Sequence, residues 1–324
     1  MTPRELIAGA ADARMRLDQF VAAALAPECS RSQAARMIKA GAVTLNGAPS
    51  RAAAALRTGD RVSIAPLAAP AAPEPKAAPP LDVLYADADL IVVNKAAGVA
   101  VHPAPGHPDG TLVDALLARF PDLAALADPD GVRRPGIVHR LDKDTSGVIA
   151  IARTLAARAG LARQFKDRTV RKTYLAIVRG VVARDRFTIS RPLGRHPTER
   201  KRMSVRSHHP RAAVIQIAVL ERFDSPAAPA TLVRVRPETG RTHQIRVHLA
   251  ASGHPCLGDA LYGGAAGCGF ERQALHALAL EISHPRDGAR RQFVAPPPAD
   301  FAAFLGARGV DIAPEAVRRW IALE

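Results

Sequence analysis

The chain has 324 residues, 48% of them hydrophobic, and its 45 lysines and arginines against 30 acidic residues give a formal net charge of +15. This length allows one large domain or two to three small ones, and the hydrophobic fraction is enough for an ordinary core, which excludes a disordered chain. A protein this basic repels itself unless its charge meets a polyanion. Nucleic acid is the commonest such partner, and an arginine-rich solvated surface is the alternative.

The three cysteines, Cys29, Cys256 and Cys268, are widely spaced and form no Cys-x-x-Cys pair. Their spacing speaks against a disulfide framework and a cysteine-rich zinc site, and it is typical of a protein from a reducing cytoplasm. We expect no signal peptide, because Asp12 and Arg14 interrupt the first apolar residues. We also expect no membrane span, because no run of about 18 to 20 apolar residues occurs.

Residues 16–65 predict a small domain of two helices followed by short strands. Ser30 is a suitable N-cap for the second helix, and Gly41 would end it. The Asn-Gly pair in "AVTLNGAPS" predicts a tight hairpin turn. The first helix is indicated by apolar residues at helical spacing, namely Leu17, Phe20, Val21 and Leu25.

Two segments flank this small domain. Residues 1–15 are expected to form an N-terminal arm. Residues 66–80 are rich in alternating Ala and Pro, which sustain neither a helix nor a strand ladder, so they predict an extended linker.

The small domain resembles the S4 RNA-binding domain, a small α/β module. The resemblance rests on Ser-Arg-Ser at the start of the second helix and on Lys-x-Gly-x-Val-x-x-Asn-Gly at its end. It implies that Arg31, Arg36 and Lys39 of that helix contact RNA phosphates. A merely solvated helix face is the alternative.

The remainder, residues 81–324, alternates strand-like and helix-like segments without a regular βαβ repeat. That order favours an α+β domain on a mostly antiparallel or mixed sheet. The expected strands are two within "DVLYADADLIVVNK" and one each in "RKTYLAIVRG", "AAVIQIAVLERF" and "ATLVRVRP". The expected helices are "TLVDALLARF", "LAARAGLARQFKDRTV", "RTHQIRVHLAASG" and "APEAVRRWIAL".

The stretch "GIVHRLDKDTSGVIAIAR", residues 136–153, is the candidate catalytic segment. Its two apolar segments predict two strands, and the charged turn between them contains Asp142 and Asp144. Nearby cations, Arg140 and His139, would keep such a carboxylate ionised, and an ionised carboxylate can act as a nucleophile or a base. Ordinary loop solvation is the alternative. A glycosidase would need a second facing carboxylate, for which no motif is visible.

The same stretch contains His-Arg-Leu-Asp-x-x-Thr-Ser-Gly and resembles the signature of the RluA family of pseudouridine synthases. Further segments resemble the family's motifs in the same order. They are "LIVVNKAAGVAVHPAPGHPDGTLVDAL", "KTYLAIVRG", "PETGRTHQIRVHLAASGHPCLGDALYGG" and "QALHALALEISHP". The first departs from the pattern, because Ala96 stands where a proline is usual. The resemblance implies a pseudouridine synthase domain over residues 81–324.

The resemblance also implies roles for individual residues. Asp142 aligns with the catalytic aspartate, and Asp144 falls at a variable position that shapes the loop. Tyr174 aligns with the tyrosine that stacks on the flipped base. Arg241 aligns with the arginine expected to pair with the catalytic carboxylate. Arg140 is expected to fill the gap left by the extruded uridine.

Further RNA contacts are expected beside the signature and in one basic segment. His139 is the neighbour of Arg140 and is expected to help bind the substrate. Residues 194–211, "GRHPTERKRMSVRSHHPR", predict a loop or hairpin that lies on the RNA backbone. Its expected contacts are Arg200, Lys201 and Arg202.

The implied function is isomerisation of specific uridines to pseudouridine in large-subunit (23S) ribosomal RNA, with no cofactor and no metal. We expect a cytoplasmic monomer whose partner is structured rRNA, within a ribosomal precursor particle. The same chemistry on tRNA or on other rRNA sites stays open, because target choice depends on RNA shape. A non-catalytic, RNA-binding ribosome-assembly factor is the other alternative, against which Asp142, Tyr174 and Arg241 speak.

Overall fold

A computed structural model describes residues 4–26, 29, 31–65, 78–103, 109–126, 134–199, 201–225, 228–264 and 269–323. The chain divides into two compact units. The smaller comprises Met1–Glu74 with Ala127–Pro135, and the larger comprises Pro75–Leu126 with Gly136–Glu324. Each unit is described by itself.

The smaller unit contains two helices and a four-stranded antiparallel sheet in the order β1-β4-β2-β3. The predicted turn is confirmed, since Asn46 and Gly47 have φ values of 53° and 78° between two paired strands. The elements are β1 (Arg4–Ile7), α1 (Leu17–Ala24), α2 (Arg31–Lys39), β2 (Val43–Leu45), β3 (Ala48–Pro49) and β4 (Arg61–Ile64). Their core includes Leu17, Phe20, Val21, Leu25, Ala34 and Ile38.

Strand β1 is the departure from the sequence prediction in this unit. It lies within the stretch expected to be an arm, and Leu6 pairs with Val62 of β4. Its residues are exposed or half-buried, so the sequence shows no strong apolar signal there. The predicted N-cap Ser30 lies outside the described residues. Residues 66–77 of the predicted linker lie outside them as well.

The larger unit is built on one mixed sheet. Its strands are β5 (Asp82–Ala86), β6 (Leu90–Lys95), β7 (Ser146–Ala152), β8 (Arg171–Arg179), β9 (Arg186–Ser190), β10 (Gly194–Arg195), β11 (Met203–Ser204), β12 (Val214–Phe223), β13 (Ala230–Pro237), β14 (Leu275–Ser283) and β15 (Arg290–Val294). Its helices are α3 (Leu112–Arg119), α4 (Leu155–Asp167), α5 (Gln244–Ala251), α6 (Ala299–Gly306) and α7 (Pro314–Ala322).

The sheet order is β5-β6-β7-β14-β8-β13-β12-β9, with β15 on β14, and β10 and β11 form a separate hairpin. Strands β7 and β14 run parallel, and the other pairs are antiparallel. The predicted α+β class and mixed sheet are therefore confirmed. The strand expected at Ile137 and Val138 is wrong, because Ile137 forms only one isolated bridge, to Ile151.

Helices cover both faces of this sheet. Apolar residues of α3 and α5 pack on one face, against alternate residues of β6, β7, β8 and β13. Helices α4, α6 and α7 pack on the opposite face. Successive residues of a strand point to opposite faces, so Tyr174 of β8 lies on the α5 side and Leu175 on the α6 and α7 side. In the part of the chain described, no helix is long and apolar enough to cross a bilayer.

Candidate active site

A cavity of about 490 Å³ opens in the larger unit, within the usual size range of ligand pockets. It is lined by the loop before β7, the C-terminal end of α4, the start of β8, and the turn between β13 and α5. Asp142, Tyr174 and Arg241 all line it, as do Arg140 and His139. The structure therefore brings the three predicted catalytic residues to one cavity.

Two side chains from other parts of the chain donate hydrogen bonds to the backbone of the loop that carries Asp142. The buried Lys95 ammonium donates to the carbonyl oxygens of Lys143, Ala96 and Val99, each at 2.8 Å. Arg272 donates to the carbonyl oxygen of Asp144 at 3.0 Å. These two side chains thus hold the backbone of the two residues that follow Asp142.

A glycine directly after the loop allows the sheet to form. Gly147 on β7 has a φ of +115°, and a Cβ built there would lie 2.2 Å from the carbonyl oxygen of Ala277 on β14. No side chain fits at that distance, so glycine is needed for the parallel pairing of β7 with β14. This pairing anchors the C-terminal end of the Asp142 loop.

Arg246, and not Arg241, is the arginine that pairs with Asp142. Its Nη1 lies 3.0 Å from Asp142 Oδ2. Its Nε and Nη2 donate to the two oxygens of Asp259 at 2.7 and 2.8 Å. The side chains of Arg246 and Asp259 are 8% and 1% exposed. Burial alone would lower the pKa of Arg246, but the two carboxylates outweigh it and raise the pKa, so the guanidinium stays charged.

The expected pairing of Arg241 with Asp142 is thus wrong. The Nε of Arg241 donates instead to the carbonyl oxygen of Ala212 at 3.2 Å, at the rim of the cavity. Both arginines belong to "RTHQIR", but Arg241 precedes α5 and Arg246 lies within it. The sequence contained one usable signal, because the same "RTHQIR" segment offers a second arginine, Arg246, for the pairing.

Tyr174 lies on β8 with its side chain half-buried between the apolar residues of the cavity floor. Burial, and to a smaller extent the negative charge of Asp142, raises the pKa of Tyr174 above its usual range. The phenol is therefore protonated at neutral pH. A neutral aromatic ring beside the carboxylate suits a base that has left its stack.

His139 is neutral, which departs from the expectation of a cation beside the carboxylate. Burial lowers the pKa of His139 to about 3, and the nearby Lys172 charge adds to the effect. Its Nε2 accepts a hydrogen bond from the backbone N–H of Ala150 at 2.9 Å, and its ring stacks on Phe165 at 4.5 Å. Arg140 is exposed at the cavity.

Lys172 lies at a cationic end of the cavity and was missed by the sequence reasoning. Lys172 is two residues before Tyr174 on β8, so both side chains lie on the same face. Burial, assisted by the Arg168 charge, lowers the pKa of Lys172 to about 8. Arg168 itself adopts a left-handed conformation at the end of α4, with φ +60°. Two neighbouring cations at a cavity wall favour an anionic ligand.

The other expected RNA contacts lie elsewhere in the chain. Arg31, Arg36 and Lys39 are all exposed on α2, and Arg31 Nε lies 3.4 Å from Asp18 Oδ2. Lys201 is exposed and Arg202 is half-buried between β10 and β11, so the predicted hairpin is present. Arg200 lies outside the described residues.

The site shows no arrangement for a metal. Across the described ranges, no group of three or more His, Cys, Asp or Glu side chains comes close enough together to hold an ion. The carboxylates that line the cavity are Asp142 and Glu238, and several cations lie beside them.

Comparisons with known proteins agree with this geometry. Residues 89–251 match the model of the RNA pseudouridylate synthase family, and residues 15–62 match that of the S4 domain. A protein of Xanthomonas campestris called ribosomal large subunit pseudouridine synthase D is 43% identical over 309 residues, which cover 90% of this chain and 89% of the relative. An uncharacterised RNA pseudouridine synthase of Bacillus subtilis is 42% identical over 296 residues, 90% of this chain and 93% of the relative.

A solved structure is similar as well. The human RNA pseudouridylate synthase domain containing 1 protein has a TM-score of 0.56 and 34% identity, over 69% of this chain and 86% of its own. The family match includes the Asp142 loop, β8 and α5, which together line the cavity. This chain is therefore a member of the RNA pseudouridylate synthase family, an isomerase with an S4 domain at its N-terminal end.

Proposed function

We propose that this enzyme converts specific uridines of large-subunit (23S) ribosomal RNA to pseudouridine, with Asp142 as the catalytic carboxylate. The observation that carries the proposal is the meeting of Asp142, Tyr174 and Arg246 in one cavity with a cationic wall. We propose a cytoplasmic location as well, since the proposed substrate is ribosomal RNA. The choice of the large subunit is supported by the names of the relatives from Xanthomonas and Pseudomonas aeruginosa.

Pseudouridine formation breaks the N1–C1′ glycosidic bond, turns the uracil and joins C5 to C1′. The reaction needs a carboxylate near C1′ and the C2′ proton, and a pocket from which the free base cannot escape. Arg246 holds Asp142 through Oδ2, which leaves Oδ1 for the sugar. Tyr174 offers its ring to the extruded uracil.

The cationic wall supports a nucleic-acid substrate in this role. Lys172 and Arg168 would meet backbone phosphates next to the flipped nucleotide, and Arg140 lies exposed where the strand enters. The exposed cations of α2 and of the β10–β11 hairpin would add contacts that position the RNA without reading its sequence.

The test is a map of pseudouridines in large-subunit rRNA. Unmodified rRNA and precursor particles are incubated with wild type, Asp142→Asn or Asp144→Asn, and pseudouridines are located by carbodiimide treatment and primer extension. We expect new stops with wild type and Asp144→Asn, and none with Asp142→Asn at unchanged RNA affinity. Stops on bulk tRNA alone would move the activity to the alternative substrate. Wild-type activity that survives in Asp142→Asn would refute the assignment of Asp142.

A further inference from the structure

Tyr262 occupies a position that the proposed reaction does not use. It lies in the loop between α5 and β14 and is 8% exposed. Its hydroxyl is 2.9 Å from the backbone N of Met203 in β11 and 2.8 Å from Nδ1 of His243, the residue before α5. One phenol thus joins the β10–β11 hairpin, which we call the basic hairpin, to the cavity wall.

The ring of Tyr262 makes a second pair of contacts between the same two regions. The guanidinium of Arg246 lies 5.1 Å from the ring centroid, and that of Arg202 in the basic hairpin lies 5.6 Å from it. Both distances are in the range of cation–π attraction. Arg202 donates from Nη1 to Glu199 Oε1 at 2.9 Å, while its Nε is buried without a hydrogen-bond partner among the described residues.

The hydrogen bonds of the phenol favour one position for the His243 proton, because His243 Nδ1 is the neighbouring group that can accept the phenol proton. A hydroxyl has a single proton, and the Tyr262 oxygen already accepts from the Met203 N–H. Its own proton is then free to be donated to His243 Nδ1, which must be unprotonated to accept it. Burial lowers the pKa of His243 although Asp142 opposes the shift, so the ring is neutral near pH 7. A neutral ring that accepts at Nδ1 carries its proton on Nε2.

That Nε2 lies near the proposed catalytic carboxylate. It lies 4.0 Å from Asp142 Oδ2, the same oxygen that Arg246 binds. His243 reaches this position with a left-handed backbone, φ +54°, a conformation that is uncommon for a non-glycine residue. Such conformations are concentrated at functional sites.

We propose that Tyr262 is a positioning residue of this enzyme: its hydroxyl holds His243 as the Nε2–H tautomer facing Asp142, and its ring ties Arg246 to the basic hairpin. The inference rests on the proposed function and extends it to residues outside the family signature stretch. RNA seated on the basic hairpin would thereby stabilise the arrangement of the catalytic carboxylate. Loss of the hydroxyl should slow the chemical step without weakening RNA binding.

The first arm of the test reads the tautomer and needs no activity. Histidine side chains labelled with ¹⁵N are observed by long-range ¹H–¹⁵N correlation at pH 7.5, and His243 is assigned by the signal missing in His243→Gln. We expect protonated Nε2 and unprotonated Nδ1 in wild type, and a mixture of tautomers in Tyr262→Phe. A wild-type His243 protonated at Nδ1 would overturn the proposal.

The second arm is a double-mutant cycle on the single-turnover rate and on RNA affinity. Tyr262→Phe keeps the ring over Arg246 and should lower the rate about tenfold, the effect expected from the lost hydrogen bond to His243, with RNA affinity unchanged. In the His243→Gln background the same change should have no further effect, because the shared interaction is already gone. Additive losses would contradict the link between the two residues.

Tyr85→Phe is the matched control. Tyr85 also has a hydrogen-bonded hydroxyl, to Asp87 and Arg291, but does not line the cavity. Its removal should leave rate and tautomer unchanged, and an equal loss of rate would assign the Tyr262 effect to general destabilisation. If wild type forms no pseudouridine, the proposed function fails, whereas the tautomer measurement still tests the position of Tyr262.

Discussion

At the residue scale, the site depends on one buried arginine shared by two carboxylates. Asp259 binds the Nε and Nη2 edge of Arg246 in a fork, and this orients Nη1 toward Asp142. A planar guanidinium can make all three contacts, whereas an ammonium cannot. Removal of the charge would leave two carboxylates without their partner, which typically costs about 3–5 kcal/mol of stability at a buried site. A substitution that keeps the charge is therefore the more informative one.

Arg246→Lys should lower the single-turnover rate at least about tenfold with RNA affinity nearly unchanged, because the carboxylate loses its oriented partner. Arg241→Lys is the matched control from the same segment and should stay within about twofold of the wild-type rate, since the Arg241 side chain donates to the carbonyl of Ala212 and not to Asp142. Rates and affinities on one RNA stem-loop check both. A larger loss in Arg241→Lys would reverse the assignment made from the structure.

Lys172 gives the site a pH dependence with a definite sign. A lysine with a lowered pKa is charged below that value and neutral above it, and the pKa of Lys172 is about 8. Because only the ammonium attracts phosphate, RNA affinity should fall as pH rises from about 7 to 9. Lys172→Arg stays charged throughout and should remove this decline. Fluorescence anisotropy across the pH range measures it, and an unchanged decline in Lys172→Arg would exclude Lys172 as its source.

At the element scale, the backbone of the Asp142 loop is held by a buried side chain from another strand, Lys95 of β6. Lys95, at the end of β6, is 1% exposed and donates to the carbonyl of Lys143, which lies in the loop. Burial lowers the pKa of Lys95 to about 7, against the opposing charges of Asp144 and Asp142. The departure at Ala96 leaves this contact in place, since Lys95 also donates to the Ala96 carbonyl.

Lys95→Met should destabilise the larger unit by about 2–4 kcal/mol, because three carbonyl groups lose their donor and the buried side chain loses its polar contacts. Methionine keeps most of the side-chain volume, so the loss reports the hydrogen bonds and not a cavity. Lys143→Met is the control, since its exposed side chain belongs to the same loop. Urea unfolding of the full chain measures both. A Lys95→Met protein as stable as wild type would contradict this account.

At the scale of the whole molecule, the chain has a net charge of +15 and divides into two units, for which we expect different roles in RNA binding and catalysis. The larger unit has the cavity and its reactive groups, and the S4 unit has exposed cations on α2. Contacts with phosphates release counterions, so they make binding salt-dependent without changing the chemistry. Substitutions in the S4 unit should therefore separate binding from turnover.

Arg36→Ala combined with Lys39→Ala should weaken rRNA binding and reduce its salt slope by about 1 per lost contact, while the single-turnover rate at saturating RNA stays unchanged. Arg31 is left intact because it pairs with the buried Asp18. Arg57→Ala with Arg61→Ala removes the same charge from exposed positions outside α2 and is the control. Equal weakening by both pairs would assign the effect to net charge alone.

Local features were determined by the sequence itself. The Asn46-Gly47 turn was predictable because only residues that tolerate positive φ form it, and α5 was predictable from its own segment. The motif around Asp142 likewise indicated the family and the residue to test. By contrast, β1 has no strong apolar pattern, so only its pairing with β4 shows that it is a strand.

Relations between distant residues were decided by the tertiary structure. Arg246 and Asp142 are 104 positions apart, and which arginine of "RTHQIR" reaches the carboxylate depends on how α5 packs on the sheet. The sequence predicted a cationic His139, but the side chain is neutral, because burial removes the water that would stabilise its charge. Charge state and pairing depend on the surroundings that folding creates, and no local pattern in the chain specifies those surroundings.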